Sequence, residues 1–273
     1  MFFDLGTKSF EMNYKIAPTY YTRLLGVLEN VLPGEVLLNA GCGTGEFNYY
    51  LRDRFRKSFG VDINVDDIAT AKALTADQNI QFNTGDVTRL DFPDEFFDAV
   101  ICVDVLEHVD HPAQVLRELR RVLKPGGQLV VTVPHKNYPF FYDPVNFVME
   151  RVRDRHLPIG IWGFGHTKLF GRDQLIGLIK DAGFAVLHDE LLTHSLCGAL
   201  EGYLPTFLQP VFKSNAKNKQ TQEVKPRKEK IWHFSYDIPR VFAGILNGLI
   251  SIDRRLGRKS RHGVGVLVKA TTA

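Results

Sequence analysis

Leu24, Leu25, Val27, Leu28, Val31 and Leu32 follow Pro18 at spacings that gather them on one side of a helix, which Pro33-Gly34 ends. Short apolar runs and helical periods then alternate. The runs over Glu35–Asn39, Ser58–Asp62, Ile80–Thr84, Phe97–Val103 and Gln128–Val133 predict strands. Between them a helix is predicted from about Glu46, another over Val65–Ala76, and a third opened by Pro112. The third turns Val115, Leu116, Leu119, Val122 and Leu123 inward, and Lys124-Pro125-Gly126-Gly127 stops it. Pro134–Gly171 reads as an irregular, aromatic-rich segment, followed by a helix over Arg172–Ala182 and strands over Phe184–Leu192 and Val264–Thr271. Strands separated by helices are the pattern of a doubly wound, mostly parallel α/β sheet, here of seven strands.

The last two strands are far apart in the chain, so the segment between them reads as an insertion. An apolar stretch, Leu196–Phe212, leads into a polar run, Lys213–Lys230, and a second apolar stretch, Ile238–Leu256. The polar run sets Lys213, Lys217, Lys219, Lys225, Arg227, Lys228 and Lys230 against Glu223 and Glu229, a net of +5, and predicts a flexible basic loop over 213–230. Ile238, Val241, Phe242, Ile245, Leu249, Ile252 and Leu256 share one helical face that ends among Arg254, Arg255, Arg258, Lys259 and Arg261. Such a helix can cover the domain's own crevice, or it can lie on an anionic membrane surface through 196–261. The expected organisation is a helical flank or lid over 1–34, a domain over 35–192 plus 263–273, and a helical insertion over 193–262.

Composition narrows the classes. With 273 residues, 44% hydrophobic and 24% charged, the chain can bury a large core, which excludes disorder as its resting state. A net charge of +3 does not suggest a protein that coats nucleic acid. Cys42, Cys102 and Cys197 form no CxxC pair, as expected of a reducing cytoplasm, with attachment to the inner membrane surface as the alternative. Met1–Pro18 lacks the basic-then-apolar order of a signal peptide, and no stretch approaches the ~20 apolar residues of a membrane span.

The chemistry gathers at predicted strand ends. Asn39-Ala40-Gly41-Cys42-Gly43-Thr44-Gly45-Glu46 sets glycines at alternate positions between a strand and a helix, where small residues let a ligand approach the backbone. Glu46 stands where the dinucleotide fingerprint has its third glycine, and no Tyr-x-x-x-Lys pair is present, which argues against a nicotinamide reductase. Asp62 ends the next strand, where a carboxylate can hold both hydroxyls of a ribose. Asp86 ends the third, placed to accept from an adenine amino group beside the Val87 amide.

With LLNAGCGTGEF, GVDIN, TGDV, FDAVICVDVLEHV and LRRVLKPGGQLVVTVP in order, the chain resembles the class I S-adenosylmethionine-dependent methyltransferases of the small-molecule group that includes the ubiquinone-biosynthesis enzymes. The match runs from about residue 34 to 192 plus the last strand. It implies a Rossmann-like sheet with an antiparallel last strand and S-adenosyl-L-methionine as cofactor. It also implies contacts from Asn39, Ala40, Gly41, Cys42, Gly43 and Gly45 on the methionine side, Asp62 at the ribose, and Ile63 on the adenine face. Asp86 and Val87 would meet the adenine edge, and Asp104 and Glu107 would lie beside the transfer centre. Asn39 departs from the family's usual acid there, keeping an acceptor oxygen without the charge that attracts an ammonium group.

His108, His135 and His166 are the base candidates, since a neutral hydroxyl acceptor must lose a proton. Tyr138, Tyr142 and Trp162, with the Gly165–Phe170 element, are acceptor-pocket candidates that also fit an ordinary core. No cluster of carboxylates and histidines stands apart from the cofactor motifs, so no metal site is expected. The reading is methyl transfer to an oxygen, less often a nitrogen or carbon, of a small-molecule or lipid-linked acceptor. A non-catalytic S-adenosylmethionine-binding module or an RNA-directed enzyme are the alternatives, although nucleic acid is disfavoured because an Asn-Pro-Pro-aromatic signature is absent and the Lys run has no interleaved aromatics.

Overall fold

A computed structural model describes residues 18–153, 155–201, 240–257 and 259–272. Its elements are α1 (Pro18–Asn30), β1 (Gly34–Ala40), α2 (Glu46–Leu51), β2 (Phe55–Asp62), α3 (Val65–Leu74), β3 (Ile80–Thr84), β4 (Phe97–Val103), α4 (Pro112–Val122) and β5 (Leu123–Pro134). There follow α5 (Pro144–Arg153), α6 (Arg172–Asp181), β6 (Phe184–Leu192), a helix α7 described over 195–201, α8 (Arg240–Gly257) and β7 (Gly265–Thr272). The predicted loop over 213–230 lies outside the described residues.

The strands form one seven-stranded sheet in the order β3-β2-β1-β4-β5-β7-β6. β1 to β5 pair in parallel, while β7 runs antiparallel to both β5 and β6. The expected mixed sheet is thus observed, with the last strand of the chain inside the sheet.

The continuous apolar runs of the central strands are explained by burial on both faces. Leu38, Val100, Cys102, Val131 and Val268 pack under α4 and α6, against Val115, Leu116, Leu119, Leu175 and Ile179. The alternate residues Leu37, Ala99, Ile101, Val130 and Leu267 face α1, against Leu24, Val27, Leu28 and Val31. β5 begins earlier than predicted: Leu123 already pairs with Phe97, and the Pro125-Gly126-Gly127 segment makes a bulge before Gln128 pairs with Ala99. Glycine is required there, because Gly126 has φ +72°.

One expectation fails, and a second is sharpened. Pro134–Gly171 contains a regular helix, α5, whose start was hidden by its aromatic surroundings. Asp143 supplies the cap, accepting from the Asn146 amide at 3.1 Å, with Pro144 as the first helical residue. On α8, over the side chains described from 248 to 257, the residues buried against the body lie outside the apolar stripe read from the sequence. Ile250 and Asp253 are buried, whereas Ile252 and Leu256 are 50% and 76% exposed. Ile250 packs with Tyr21 and Cys197, and Asp253 accepts from the amides of His194, Leu196 and Cys197 at 2.6, 2.9 and 3.2 Å. A carboxylate on one helix therefore caps another, and side-chain polarity outweighs apolar periodicity in choosing the buried face.

Candidate active site

The carboxyl ends of β3, β2, β1 and β4 lie in a row, and the order of strands reverses between β1 and β4. In open α/β sheets a crevice forms at that reversal and receives ligands. The glycine turn leaves β1 there.

Its glycines do different work. A Cβ on Gly41 would overlap the Val105 side chain, and one on Gly45 would overlap the Phe82 ring, so both admit close packing. A Cβ on Gly43 would meet nothing within 4 Å. This is the open side of the turn, and all three residues have positive φ, from 49° to 81°. The amides of Gly41 and Cys42 both donate to Val61 O, at 2.7 and 3.0 Å, and the Gly45 amide donates to Cys42 O at 2.9 Å. The Gly43 amide donates to Asp62 at 2.8 Å, and the Asn64 amide donates to the other Asp62 oxygen at 2.9 Å. The turn thus makes room for a ligand without directing a nest of amides at it.

Several of the expected contact residues turn their side chains into the core, which leaves their backbone as the part that could face a ligand. Ala40 is fully buried under the main cluster, Val87 joins the same cluster, and Cys42 packs with Ile68, Ala71, Ile80 and Phe82. Burial pushes the Cys42 thiol far above its usual range. Asn39 is 1% exposed, and its Nδ2 donates to Asn48 Oδ1 at 2.7 Å. Asn48 Nδ2 in turn donates to Ser58 Oγ and to Phe59 O, which fixes the direction of the chain of amides and leaves Asn39 Oδ1 buried without a hydrogen bond among the described residues. Asn39 has kept the acceptor that an ammonium group needs. Ile63 is 73% exposed, an apolar surface at the rim, and Asp86 is exposed in a turn where its side chain accepts from the Thr88 amide at 2.8 Å. An open glycine, a rim carboxylate and an exposed aliphatic face fit an adenosyl ligand.

At the end of β4, Asp104 has φ 54°. Its carboxylate accepts from Thr132 Oγ1 at 3.0 Å and pairs with Arg23 at 2.7 Å. Burial raises the Asp104 carboxyl despite the Arg23 guanidinium beside it. Arg23 is the sole cation of α1 and was not singled out in the sequence; a lone cation in a mostly apolar helix was the available signal. Glu107 is fully buried, and burial followed by the charge of Asp104 holds its carboxyl well above the ordinary carboxylate range. Nε2 of His108 and Nε2 of His166 each lie 3.9 Å from Glu107 Oε1, and their ring centroids are 5.1 Å apart. The Thr167 amide and hydroxyl both donate to Glu107 O, at 3.1 and 2.7 Å, which pins the His166 loop to this turn. The fold therefore assembles a carboxylate–imidazole cluster that the sequence reading had not expected.

The other candidates separate. His135 is outside this cluster: it is 2% exposed, with Nδ1 3.3 Å from Gly263 O, and burial lowers its pKa. It is seated against the residues that lead into β7. Tyr138 and Trp162 share one carboxylate, bonding Glu150 at 3.1 and 2.5 Å, and so bracket α5 to the following turn. Tyr142, by contrast, is within the field of Arg23, Asp104 and Glu201, and burial raises its phenol first of all. Glu201 holds α7 to the start of α1, accepting from the Thr19 amide at 2.7 Å and from its hydroxyl.

Residues 38–131 match the family model described as a methyltransferase domain. The chain is 30% identical over 161 residues to a ubiquinone biosynthesis O-methyltransferase of Pseudomonas aeruginosa, covering 57% of this chain and 66% of that protein. It is also 30% identical over 181 residues to a sterol 24-C-methyltransferase of Gibberella zeae, covering 64% of this chain and 46% of that protein. The chain thus spans just under two thirds of the first relative's length and about half of the second's. Among solved structures, an S-adenosylmethionine-dependent methyltransferase from Mesorhizobium loti has a TM-score of 0.54 at 16% identity, over 93% of this chain and 97% of that one. The 4+2 cyclase SpnF has a TM-score of 0.58 at 21% identity, over 97% and 84%. These likenesses show a common fold, and a cyclase among them is a reminder that the reaction must be argued from the site.

Proposed function

From a chain that carries a methyltransferase domain of the class I, S-adenosylmethionine-dependent kind, we propose methyl transfer to an oxygen of a small-molecule or lipid-linked acceptor. S-adenosylmethionine supplies a methyl group already activated on a sulfonium. The protein's part is to align donor and acceptor, exclude water and, for a neutral hydroxyl, take charge of its proton.

The observation that carries the oxygen reading is the cluster of Glu107, His108 and His166 one strand away from the glycine turn, on the same edge of the sheet. A neutral amine, which brings its own lone pair, has less use for such a group. Arg23, Asp104 and Tyr142 line the approach from α1 and give it polar anchors. The lipid-linked half of the reading, and docking on an anionic membrane, draw support from Leu200, Ile252 and Leu256, which are 42%, 50% and 76% exposed beside the exposed Arg255 and Lys259. No helix among the described residues is long and apolar enough to cross a membrane.

Calorimetric titration with S-adenosylmethionine and with NADH, each with and without anionic vesicles, tests the reading. Binding of S-adenosylmethionine alone is expected, and Asp62→Ala should weaken it by about 2 kcal/mol, some thirtyfold, through loss of charge-assisted hydrogen bonds. Unchanged affinity in that variant would overturn the site. Single-turnover transfer from methyl-labelled donor to a panel of hydroxylated acceptors, lipid-linked ones included, then separates an enzyme from a binding module.

A further inference from the structure

The turn after β4 holds a carboxylate whose environment leaves it incomplete. Glu107 is 0% exposed, and among the described residues neither Oε1 nor Oε2 has a well-formed hydrogen bond, its own backbone amide giving only partial relief. A buried carboxylate without donors is costly, and proteins normally answer it with paired charge, hydrogen bonds or a metal ion. Arg23 pairs with Asp104, so the buried Glu107 and the partly buried Asp104 share one cation.

The remaining neighbours are imidazoles presented by nitrogen. Nε2 of His108 and Nε2 of His166 converge on the same oxygen, Glu107 Oε1, at 3.9 Å each, and the three atoms lie within 4.8 Å of one another. His108 Nδ1 is 3.2 Å from Gly165 O. Donation there places the lone pair on Nε2, the tautomer of a metal-ligating histidine whose other N–H rests on a carbonyl. The two threonine bonds from Thr167 to Glu107 O hold the loop that brings His166 in.

We propose that Glu107, His108 and His166 bind a divalent transition cation of the zinc or manganese kind through Oε1, Nε2 and Nε2. One carboxylate with two imidazoles favours such ions over calcium or magnesium, which prefer oxygen alone. Ligand atoms about 2.0–2.1 Å from a tetrahedral zinc stand roughly 3.3 Å apart, so the observed spacing closes by shifts of about half an ångström. Three protein ligands leave a position open, the arrangement of catalytic rather than structural zinc.

The inference rests on the methyl-transfer reading and specifies how the acceptor loses its proton. The acceptor hydroxyl oxygen takes the open position, and its O–H proton passes to solvent as the oxygen becomes a metal-bound alkoxide or phenolate. That oxygen then forms a bond to the methyl carbon as the carbon–sulfur bond breaks, and the electron pair stays on sulfur, which becomes a neutral thioether. His108 and His166 act as ligands in this scheme, not as bases.

The test uses the full chain freed of metal by chelator and dialysis, then titrated with zinc, manganese, cobalt and magnesium chlorides by calorimetry, with visible absorption for cobalt. One transition cation per chain is expected, with magnesium weaker, and cobalt should develop the absorption of a low-coordinate nitrogen and oxygen site. Glu107→Gln and His166→Asn should each weaken binding by at least tenfold, while circular dichroism reports folding; His108→Asn serves if either variant does not fold. No saturable cation binding by the unaltered protein, or equal binding in folded variants, would overturn the proposal. Titration with S-adenosylmethionine on the metal-free protein keeps the two readings apart. Cation binding without S-adenosylmethionine binding would sink the parent reading and leave the metal site standing.

Discussion

At the scale of single residues, the glycine turn divides into packing and access. Gly41→Ala would force a Cβ into Val105 at φ +76°, and we expect a loss of roughly 3 kcal/mol in urea unfolding. Gly43→Ala meets no such wall, so only the left-handed backbone resists it, at about 1 kcal/mol. Its effect should appear in calorimetry as weakened S-adenosylmethionine binding by a folded protein. Equal destabilisation by the two would contradict the open side assigned to Gly43. His135 supplies a pH signature. Burial depresses its pKa in the folded state, so the unfolded chain takes up the proton first as pH falls below about 6.5. Stability contributed by neutral His135 is complete above that value and is lost as pH drops toward the folded value. Thermal melts between pH 7.5 and 5 should therefore show a shallower acid decline for His135→Asn than for the unaltered chain.

At the scale of elements, α7 owes its start to a residue far along the chain. Asp253→Ala would leave the amides of His194, Leu196 and Cys197 without their acceptor, and a cost of roughly 3 kcal/mol is expected by denaturant titration. Hydrogen exchange should rise in α7, α8 and the adjoining face of α1, with β4 and β5 unchanged. The same contact marks where sequence reading reaches its limit. Strands such as Ile80–Thr84 and Phe97–Val103 were legible residue for residue, because a buried parallel strand writes itself as a short apolar run between turn signals. The rim residues Asp62, Ile63 and Asp86 were legible too, since their positions follow from where strands end. Side-chain partners were not. Nothing local to Asp253 says that it caps another helix, nothing near His166 points to Glu107, and the glycine motif does not say that the side chains of Ala40 and Cys42 pack into the core. α5 was missed because an Asp-Pro start amid aromatics resembles a turn until Asp143 is seen holding the Asn146 amide.

At the scale of the whole molecule, the α1 side of the sheet is held by two arginines. Arg254 on α8 bonds Glu29 of α1 at 2.8 Å and Glu190 of β6 at 3.1 Å, tying the insertion to the flank and to the sheet edge. Arg23 completes the path from that flank to Asp104. β7, encoded last, fills an interior slot between β5 and β6. During vectorial synthesis this slot stays vacant until residue 272 has cleared the ribosomal tunnel, so β6 has no neighbour to pair with while the earlier half of the sheet can already condense. The nascent chain then carries two open strand borders that invite pairing with other chains. A stalled-ribosome force profile should accordingly show an early pull from β1 to β5 and a second one only after β7 emerges.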